Sequence, residues 1–283
     1  MLKLGIQKSG RLSEKSLNLI KNCGINFDQK KAKLKFKAAN FPIEIYFLRD
    51  DDIPVFLKEK IIDIGIVGQN VLEEKMACLP IVKELGFSSC RLSIAIPKSD
   101  TYNGISDLSG KTIATSYPQL LRNYLDKQQV SAQVVEISGS VEIGPSIGMS
   151  DAVCDIVSSG STLLANGLKE VEKIYNSQAV LASSEEINSE QQGILEELLM
   201  RINAVQNAES NKYILLNAPN NKLEEIVSII PGMKSPTVVQ LADSGWSSVQ
   251  SVVKEDEFWN IIGALKKAGA EGILVSPIEK MIL

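Results

Sequence analysis

Short apolar runs alternate with stretches of helical periodicity from the start of the chain to about residue 170. The runs have the length of buried strands, and glycine or polar residues end them. Strands that alternate with helices predict βαβ units and a largely parallel sheet. The predicted strands are Lys3–Ile6, Ile43–Leu48, Ile62–Val67, Leu92–Pro97, Thr112–Ala114, Gln133–Ile137 and Asp155–Ser158, and the predicted helices are Leu12–Cys23, Ile53–Lys60, Val71–Cys78, Tyr117–Gln128 and Thr162–Asn166.

The segment Lys33–Lys37 alternates strictly between lysine and apolar residues. A nucleic-acid-binding patch is one interpretation of these lysines. The alternation also predicts an edge strand with one wet face, whose lysines discourage association between sheets. We expect the edge strand.

The pattern changes near residue 190. From Gln191 to Ala208 the apolar positions recur at helical spacing, which predicts a long amphipathic helix with one packed face. A βαββαβ order follows over about 75 residues, a length that can fold by itself, so we expect a separate C-terminal domain. Its predicted elements are Tyr213–Asn217, Leu223–Ile230, a break at Pro231-Gly232, Thr237–Leu241, Trp246–Val253, Phe258–Ala268 and Gly272–Pro277.

The 283 residues, 44% of them hydrophobic, exceed what one core usually organises, so we expect two or three compact domains. The 30 basic and 34 acidic side chains give a net charge of −4, which argues against non-specific binding to nucleic acid. No apolar run approaches about 18 residues, so we expect no transmembrane helix. The first residues show no signal-peptide pattern, and we expect a cytoplasmic protein.

The sequence contains no histidine, which excludes a Ser-His-Asp triad, a Cys-His pair and any histidine-ligated metal. Its four cysteines lie far apart without a C-x-x-C spacing, and we expect buried reduced thiols. Any chemistry must therefore rest on carboxylates, Lys and Arg side chains, backbone amides and a hard cation such as Mg²⁺.

The sharpest local signal runs from Asp151 to Thr162, where a strand ends at a glycine turn and hydroxyl residues lead into a helix. The first N–H groups of a helix have no internal partner and carry the positive end of its dipole. Hydroxyls and free amides around Gly160 can hold a phosphate, and Asp155 in the same strand can accept hydrogen bonds from sugar hydroxyls. An ordinary Ser/Thr N-cap after a strand is the alternative interpretation.

Four further strand ends carry polar residues. In Gln7–Arg11 two cations flank a Ser-Gly turn, which suits a pyrophosphate, although a solvated loop explains it equally well. In Arg49–Pro54 three acids follow an arginine at the start of a helix, and either helix capping or contact with a ligand or Mg²⁺ accounts for them. Gly139–Glu142 offers a carboxylate at a glycine turn. Thr115–Pro118 offers hydroxyls and an aromatic ring, although a proline that opens a helix is a sufficient structural explanation.

Two stretches resemble each other, Asp63–Gly68 and Asp155–Gly160. Each runs from an aspartate through a buried strand to a glycine turn and a helix. Ligands in open α/β sheets bind at the carboxyl ends of strands. Two such ends predict two lobes with a ligand in the cleft between them.

The order of these segments is more specific than any one of them. Together they resemble the long form of the ATP phosphoribosyltransferase family along nearly the whole chain. The matching segments are Gln7–Leu12, Arg49–Pro54, Cys90–Ser93, Ala114–Pro118, Gly139–Glu142, Asp151–Thr162 and Ile273–Met281.

The resemblance implies an α/β fold, with a two-lobed catalytic region built like a periplasmic-binding protein and a ferredoxin-like βαββαβ regulatory domain. Residues 1–90 with 178–208 would form the first lobe, 91–177 the second, and 209–283 the regulatory domain. The implied reaction transfers phosphoribosyl from phosphoribosyl pyrophosphate to N1 of ATP, the first step of histidine biosynthesis, with Mg²⁺ as cofactor. Histidine would inhibit by feedback, and the chain would form homodimers and homohexamers.

The resemblance also implies roles for individual residues. The 5-phosphate would be held by Ser158, Ser159, Gly160, Ser161 and Thr162, and the ribose hydroxyls or Mg²⁺ by Asp155 and Glu142. The pyrophosphate and triphosphate would be bound by Lys8, Gly10, Arg11, Arg49 and Asp50, and the nucleotide side would be lined by Cys90, Arg91, Thr115 and Tyr117. The residues expected to act in catalysis are Lys8, Arg49, Glu142 and Asp155. Histidine would contact Thr237 and Ser276, for which an ordinary structural role is the alternative.

One position departs from the family. Directly after Asp63–Gly68 the family usually places an acid, whereas this chain has Gln69. A carboxylate role at that position is therefore not carried over.

Two other functions also fit two lobes and a cleft. One is non-enzymatic solute binding or sensing, against which the two polyphosphate-type loops and the missing signal peptide count. The other is phosphoribosyl transfer to a different base. Transfer to ATP suits a histidine-free site, because the adenine N1 lone pair is available at neutral pH and catalysis rests on positioning and charge stabilisation.

Replacing Lys8 or Arg49 by alanine should lower turnover by on the order of 10²-fold or more, because each cation would stabilise charge that develops in the transition state. The measurement is the steady-state rate of pyrophosphate release by purified, folded variants. Near-normal rates would remove these two residues from the site.

Overall fold

The structure is a computed structural model that describes residues 1–27, 34–230, 232 and 235–283. Its strands in chain order are β1 (Leu2–Gln7), β2 (Lys35–Lys37), β3 (Ile43–Leu48), β4 (Ile64–Gly68), β5 (Ile81–Glu84), β6 (Cys90–Pro97), β7 (Thr112–Thr115), β8 (Gln133–Glu136), β9 (Ala152–Val157), β10 (Leu168–Ser177), β11 (Ala179–Ser183), β12 (Asn211–Pro219), β13 (Thr237–Gln240), β14 (Trp246–Lys254) and β15 (Glu271–Pro277). Its α-helices are α1 (Arg11–Asn22), α2 (Ile53–Lys58), α3 (Gln69–Glu74), α4 (Pro118–Lys127), α5 (Ser161–Ala165), α6 (Ser189–Glu209), α7 (Leu223–Ile229) and α8 (Glu255–Lys267).

The first sheet has the strand order β2-β3-β1-β4-β11-β5. β1 pairs in parallel with β3 and β4, whereas β2, β11 and β5 join antiparallel. β4 is a continuous apolar run because side chains on both of its faces, such as Ile66 and Val67, are buried, and β1 buries Leu4 and Ile6. β2 lies at one edge of this sheet, which confirms the predicted edge strand, although Lys33 is outside the described residues.

The second sheet has the order β10-β6-β9-β7-β8. β7 pairs in parallel with β8 and β9, and β6 pairs antiparallel with β9 and β10. Its core includes the buried residues Leu92, Ile94, Ile113, Leu121 and Cys154. We call the first sheet with α2 and α3 the first lobe, and the second sheet with α4 and α5 the second lobe.

The chain passes between the two sheets twice. It enters the second sheet at Cys90, the first residue of β6, and leaves it at Ser177, the last residue of β10. Cys90 and Ser177 are partners in the β6–β10 register. The two crossings therefore lie side by side.

The third sheet has the order β13-β14-β12-β15 and is antiparallel throughout. Its element order is βαββαβ, and this strand order is that of a ferredoxin-like fold. The buried residues Ile214, Leu216 and Val249 of the sheet pack with Ile226 of α7 and Leu265 of α8. The predicted α/β class and the C-terminal βαββαβ unit are confirmed, although Pro231 of the predicted break lies outside the described residues.

The chain divides into two compact units, one formed by Met1–Asn18 with Ile25–Ile194 and the other by Leu19–Gly24 with Leu195–Leu283. The first unit contains both lobes, and the second contains most of α6 and the third sheet. The domain boundaries implied by the family resemblance stay a prediction. They assign residues 195–208 of α6 to the first lobe, whereas the division into compact units assigns them to the second unit.

The expectation of a largely parallel sheet is wrong, because both sheets of the first unit are mixed. β5, β10 and β11 are not among the predicted strands. β10 carries two irregularities in its pairing with β6, between Glu170 and Glu172 and between Lys173 and Tyr175, and these break the alternation that would have indicated a strand. Cys78 is exposed, contrary to the expectation that all four thiols are buried. Within the described ranges, no helix has both the length and the apolarity to cross a bilayer.

Candidate active site

A pocket of about 240 Å³ is lined by Arg11, Glu142 and residues 155–163. Arg11 follows β1 in the first unit, and the other residues belong to the second lobe. Arg11, from the segment Gln7–Arg11, and the glycine turn at Gly160, which are far apart in sequence, thus contribute to one pocket. Its volume is below the about 300–1,000 Å³ of pockets that enclose drug-sized ligands, so it suits a fragment the size of a sugar phosphate.

The glycine turn connects β9 to α5. Gly160 has φ of +81°, a conformation that strains any residue with a Cβ. The hydroxyl oxygens of Ser159 and Ser161 lie 3.0 Å apart, and Leu164 N–H donates to the Gly160 carbonyl at 3.0 Å. α5 has only five residues, so an anion here would depend on local N–H and hydroxyl donors more than on a long helix dipole.

Two carboxylates line the same pocket, Asp155 on β9 and Glu142 in a 3₁₀ turn at Val141–Ile143. Burial raises the pKa of Asp155, and the charge of Glu142 raises it further, although the Ile156 N–H that donates to Asp155 Oδ1 at 2.8 Å opposes this. The two acids therefore repel one another in a site that is short of water. A cation or the hydroxyl groups of a ligand would relieve that repulsion.

The carboxylate pair also bears on metal binding. Over the ranges that the structure describes, no cluster of three or more Cys, Asp or Glu side chains could hold a metal ion by itself. Mg²⁺, however, is commonly bound by one or two carboxylates together with oxygens of a phosphorylated substrate. Asp155 and Glu142 fit a metal of that shared kind.

Tyr117 lies where acids of both lobes approach. Burial raises the pKa of its phenol, and the nearby carboxylates of Asp155 and then Asp50 raise it further. Asp155 belongs to the second lobe, whereas Asp50 follows β3 of the first. The structure thus places Tyr117, which was predicted to line the nucleotide side, near Asp50, which was predicted to bind the pyrophosphate or triphosphate.

Asp50 is the most unusual acid of this group. Burial, and then the charge of Asp51, raises its pKa from 3.8 to about 6. Its Oδ1 is buried without a hydrogen-bond partner in the described part of the chain. Asp52 occupies the N-cap of α2 without a side-chain capping bond, so helix capping does not explain the three acids of the turn Asp50–Asp52, which we call the acidic turn. A buried oxygen of this kind is suited to accept a hydrogen bond from a water molecule or a ligand.

Arg91 makes contacts within the chain. Its guanidinium forms an ion pair with Glu170 on β10, and Nη1 donates to the carbonyl of Ser158 at 3.2 Å. Ser93 donates to the same carboxylate at 2.8 Å. Arg91 therefore supports the start of the glycine turn. Glu170 was not among the predicted site residues, because nothing in the sequence of β10 alone distinguishes it from the neighbouring acids.

Thr115 and Cys90 are also held internally. Thr115 is 0% exposed, and its Oγ1 accepts a hydrogen bond from Tyr117 N–H at 2.9 Å, so its side chain supports the Tyr117 turn and does not reach an open surface. Cys90 is half-buried at the first crossing, and burial raises the pKa of its thiol. A thiol held protonated is a poor nucleophile.

The remaining predicted cations are exposed. Lys8 and Arg49 follow β1 and β3, which are neighbouring parallel strands whose ends lie at the same edge of the sheet. Lys8 N–H donates to the Leu48 carbonyl at 2.8 Å, which fixes the two strand ends together. Gly10 has φ of +97°, which explains the glycine in this turn.

Thr237 and Ser276 lie on opposite edge strands of the third sheet, β13 and β15. Both are exposed. Three strand spacings separate these edges, which amounts to at least about 14 Å. One amino acid cannot contact both residues of the same chain.

The two mixed sheets form a two-lobed α/β fold like that of periplasmic-binding proteins, with an anion-type turn and paired acids at one pocket. A substrate-binding protein of an amino acid ABC transporter is similar in fold, with a TM-score of 0.50 at 12% identity over 74% of this chain and 94% of that one. A chain of the ATP phosphoribosyl transferase (HisG:HisZ) complex from Thermotoga maritima is more similar, with a TM-score of 0.62 at 29% identity over 71% of this chain and 98% of that one.

Sequence comparison is more specific. Residues 49–204 match the ATP phosphoribosyltransferase family, and residues 208–280 match the family described as HisG, C-terminal domain. The ATP phosphoribosyltransferase of Cytophaga hutchinsonii is 55% identical over 100% of this chain and 99% of its own length. That of Bacteroides thetaiotaomicron is 53% identical over the full length of both. The chain belongs to the ATP phosphoribosyltransferase family, in the long form that carries the C-terminal domain.

Replacing Asp50 by asparagine should stabilise the protein above about pH 6. The folded-state pKa of about 6 lies above the ordinary 3.8, so the folded protein retains the proton more strongly and loses stability as pH rises between these values. Asparagine removes that loss, which is on the order of 3 kcal/mol. The measurement is the urea midpoint of both proteins at pH 4 and pH 8.

The matched control is Asp52→Asn, which removes the same charge from an exposed position in the same turn. We expect a small change for the control at either pH. Equal midpoints for wild type and Asp50→Asn at pH 8 would show that the Asp50 carboxylate is well solvated.

Proposed function

We propose that this chain transfers the phosphoribosyl group of phosphoribosyl pyrophosphate to N1 of ATP and releases pyrophosphate, the first step of histidine biosynthesis. Relatives named for this activity are 53% and 55% identical to it along its whole length. The structural observation that supports the proposal is the pocket in which Arg11 and residues 158–162 meet two carboxylates. That combination suits an anionic sugar with hydroxyl groups.

In this proposal the turn from Ser158 to Thr162 holds the 5-phosphate through hydroxyls and backbone N–H groups. Asp155 and Glu142 then face the ribose hydroxyls. The family needs a divalent metal, and Mg²⁺ is the ion we propose, held by the same two acids together with substrate oxygens. When bound, it would neutralise charge on the departing pyrophosphate.

The chemical step needs little from the protein beyond position and charge. The N1 lone pair of adenine forms the new bond to C1 of the ribose, and the bond from C1 to the pyrophosphate oxygen breaks with its electron pair leaving on pyrophosphate. The ribose passes through an oxocarbenium-like state, which carboxylates at the ring stabilise. Lys8, Arg11 and Arg49, with Gly10 allowing close approach, are the groups we propose for the pyrophosphate and the triphosphate.

On the nucleotide side we propose Tyr117 and Asp50 as direct contacts. The ring of Tyr117 offers a stacking face, and the buried Oδ1 of Asp50 is an acceptor suited to an amino group. Cys90, Arg91 and Thr115 belong to the same side, but their contacts within the chain give them a supporting role. On the nucleotide side we therefore expect Tyr117 and Asp50 to touch ATP, and the other three residues to support them.

The C-terminal domain is the part we propose for feedback inhibition by histidine. Thr237 and Ser276 are too far apart for one histidine to touch both in a single chain, so a site that uses both needs more than one chain. That requirement agrees with assembly into homodimers and homohexamers, which we also propose. We place the enzyme in the cytoplasm, where its substrates are made.

The direct test is pyrophosphate release from phosphoribosyl pyrophosphate with ATP, compared with the same assay supplied with other bases and with no acceptor. We expect release that depends on ATP and on Mg²⁺. Release with another base in preference to ATP would assign a different phosphoribosyltransferase activity. Binding of phosphoribosyl pyrophosphate without release under any condition would favour a solute-binding protein.

Deleting residues 211–283 should abolish the binding of histidine. The Thermotoga maritima chain is matched along 98% of its length by 71% of this chain. A solved protein therefore has the matched fold without a counterpart for the rest of this chain. The measurement is calorimetric titration of histidine into full-length and truncated protein, which does not require the truncated form to be active. Unchanged affinity in the folded, truncated protein would contradict the regulatory assignment.

A further inference from the structure

The helix α3 is anchored at its first turn to the second crossing between the lobes. Gln69 N–H donates to the Gln178 carbonyl at 3.0 Å. Asn70 N–H donates to Ser177 Oγ at 3.0 Å, and Ser177 Oγ donates back to Asn70 Oδ1 at 2.8 Å. Asn70 and Ser177 are both nearly completely buried, so this pair of hydrogen bonds is sheltered from competing water. The position where the family usually has an acid, Gln69, here joins the anchor through its backbone.

The other end of α3 contacts the second lobe. Glu74 is its last residue, and its two carboxylate oxygens accept the N–H groups of Gln119 and Leu120, each at 2.9 Å. These N–H groups belong to the first turn of α4. We call this contact the Glu74 clamp.

The Glu74 clamp supplies a cap that α4 lacks. Tyr117 is the N-cap residue and makes no side-chain capping bond, and Pro118 has no N–H to offer. The carboxylate satisfies two of the free donors and places a negative charge at the positive end of the helix dipole. The capping of a helix N-terminus, which a residue next to that helix usually provides, is therefore provided here by a residue of the other lobe.

The residue next to Glu74 reaches the acidic turn of the first lobe. Lys75 Nζ lies 3.8 Å from Asp51 Oδ1. Asp51 adjoins Asp50, and α4 begins directly after Tyr117. Two consecutive side chains at the end of α3 thus hold the two segments that carry the proposed ATP contacts.

We propose that Glu74 is a positioning residue for ATP, which sets the separation of Tyr117 and Asp50 by capping α4 across the cleft. This inference rests on the proposed function. The Thr115–Tyr117 turn is fixed within its own lobe, since Ser116 Oγ donates to the Ile137 carbonyl at 2.7 Å and Thr115 holds the Tyr117 N–H. Through the Glu74 clamp, the start of α4, which directly follows this turn, is tied to the lobe that carries Asp50.

The test compares Glu74→Gln and Glu74→Ala with the wild-type enzyme. Glutamine keeps the size but loses the charge and one acceptor, and alanine loses both bonds. We expect the KM for ATP to rise by about tenfold in Glu74→Gln and further in Glu74→Ala, because a charge-assisted hydrogen bond of this kind is worth about that factor. We expect kcat at saturating ATP to change by less than about threefold.

The matched control is Glu73→Gln, which removes the same charge from the preceding, exposed residue of α3. Its KM for ATP should equal that of the wild type. Hydrogen exchange of the Gln119 and Leu120 amides provides a readout that needs no substrate, and we expect faster exchange in both Glu74 variants and not in the control.

A wild-type KM for ATP in Glu74→Gln would overturn the proposal, whether or not amide exchange is faster. Equal KM values for Glu74→Gln and Glu74→Ala would also contradict it, as would a loss confined to kcat with the KM unchanged. If the wild-type protein released no pyrophosphate from ATP and phosphoribosyl pyrophosphate, the proposed function would fail. In that case unchanged exchange at Gln119 and Leu120 would still reject the Glu74 clamp on its own.

Discussion

The antiparallel pairing of β6 with β10 places Cys90 opposite Ser177, so the two points at which the chain passes between the sheets lie side by side. Two adjacent crossings restrain the lobes more than one crossing would. Two parts of the candidate site lie at these crossings. Arg91 directly follows the first crossing, and α3 is anchored to the second. The pairing of these two strands thus places Arg91 and the anchored end of α3 at the junction of the two lobes.

The cleft concentrates negative charge in places where water is scarce. Burial raises the pKa of Asp50 and of Asp155, so the folded protein holds these carboxylates at a cost in stability. Such a cost is common where a protein keeps a site ready for a ligand. The cations proposed for the phosphates, Lys8, Arg11 and Arg49, are exposed.

Much of this arrangement follows from local patterns in the sequence. The apolar runs of β1 and β4 and the glycine turn at Gly160 are visible because strand burial and positive φ leave a mark on residue type. The C-terminal βαββαβ unit was predictable for the same reason, since each element has its own periodicity. The pairing direction was not, because β10 and β11 return antiparallel through contacts between residues far apart in sequence.

The candidate site shows the same limit. Residue type indicated that Asp155, Glu142 and Arg11 were chemically suited to a phosphorylated ligand, and the fold places them in one pocket. Residue type alone did not distinguish side chains that line the pocket from those that support its walls. Thr115 is fully buried and Arg91 is paired with Glu170, and neither property can be read from the segments that contain them.

The contact between Arg91 and Ser158 has a consequence for the backbone of the glycine turn. In a trans peptide the carbonyl and the following N–H point in opposite directions. When the guanidinium holds the Ser158 oxygen, the plane of that peptide is set, and the Ser159 N–H must face away from Arg91. Ser159 lines the pocket and Arg91 is not among its lining residues. The orientation of an amide dipole in the pocket wall is therefore governed by a side chain that need not meet the ligand at all.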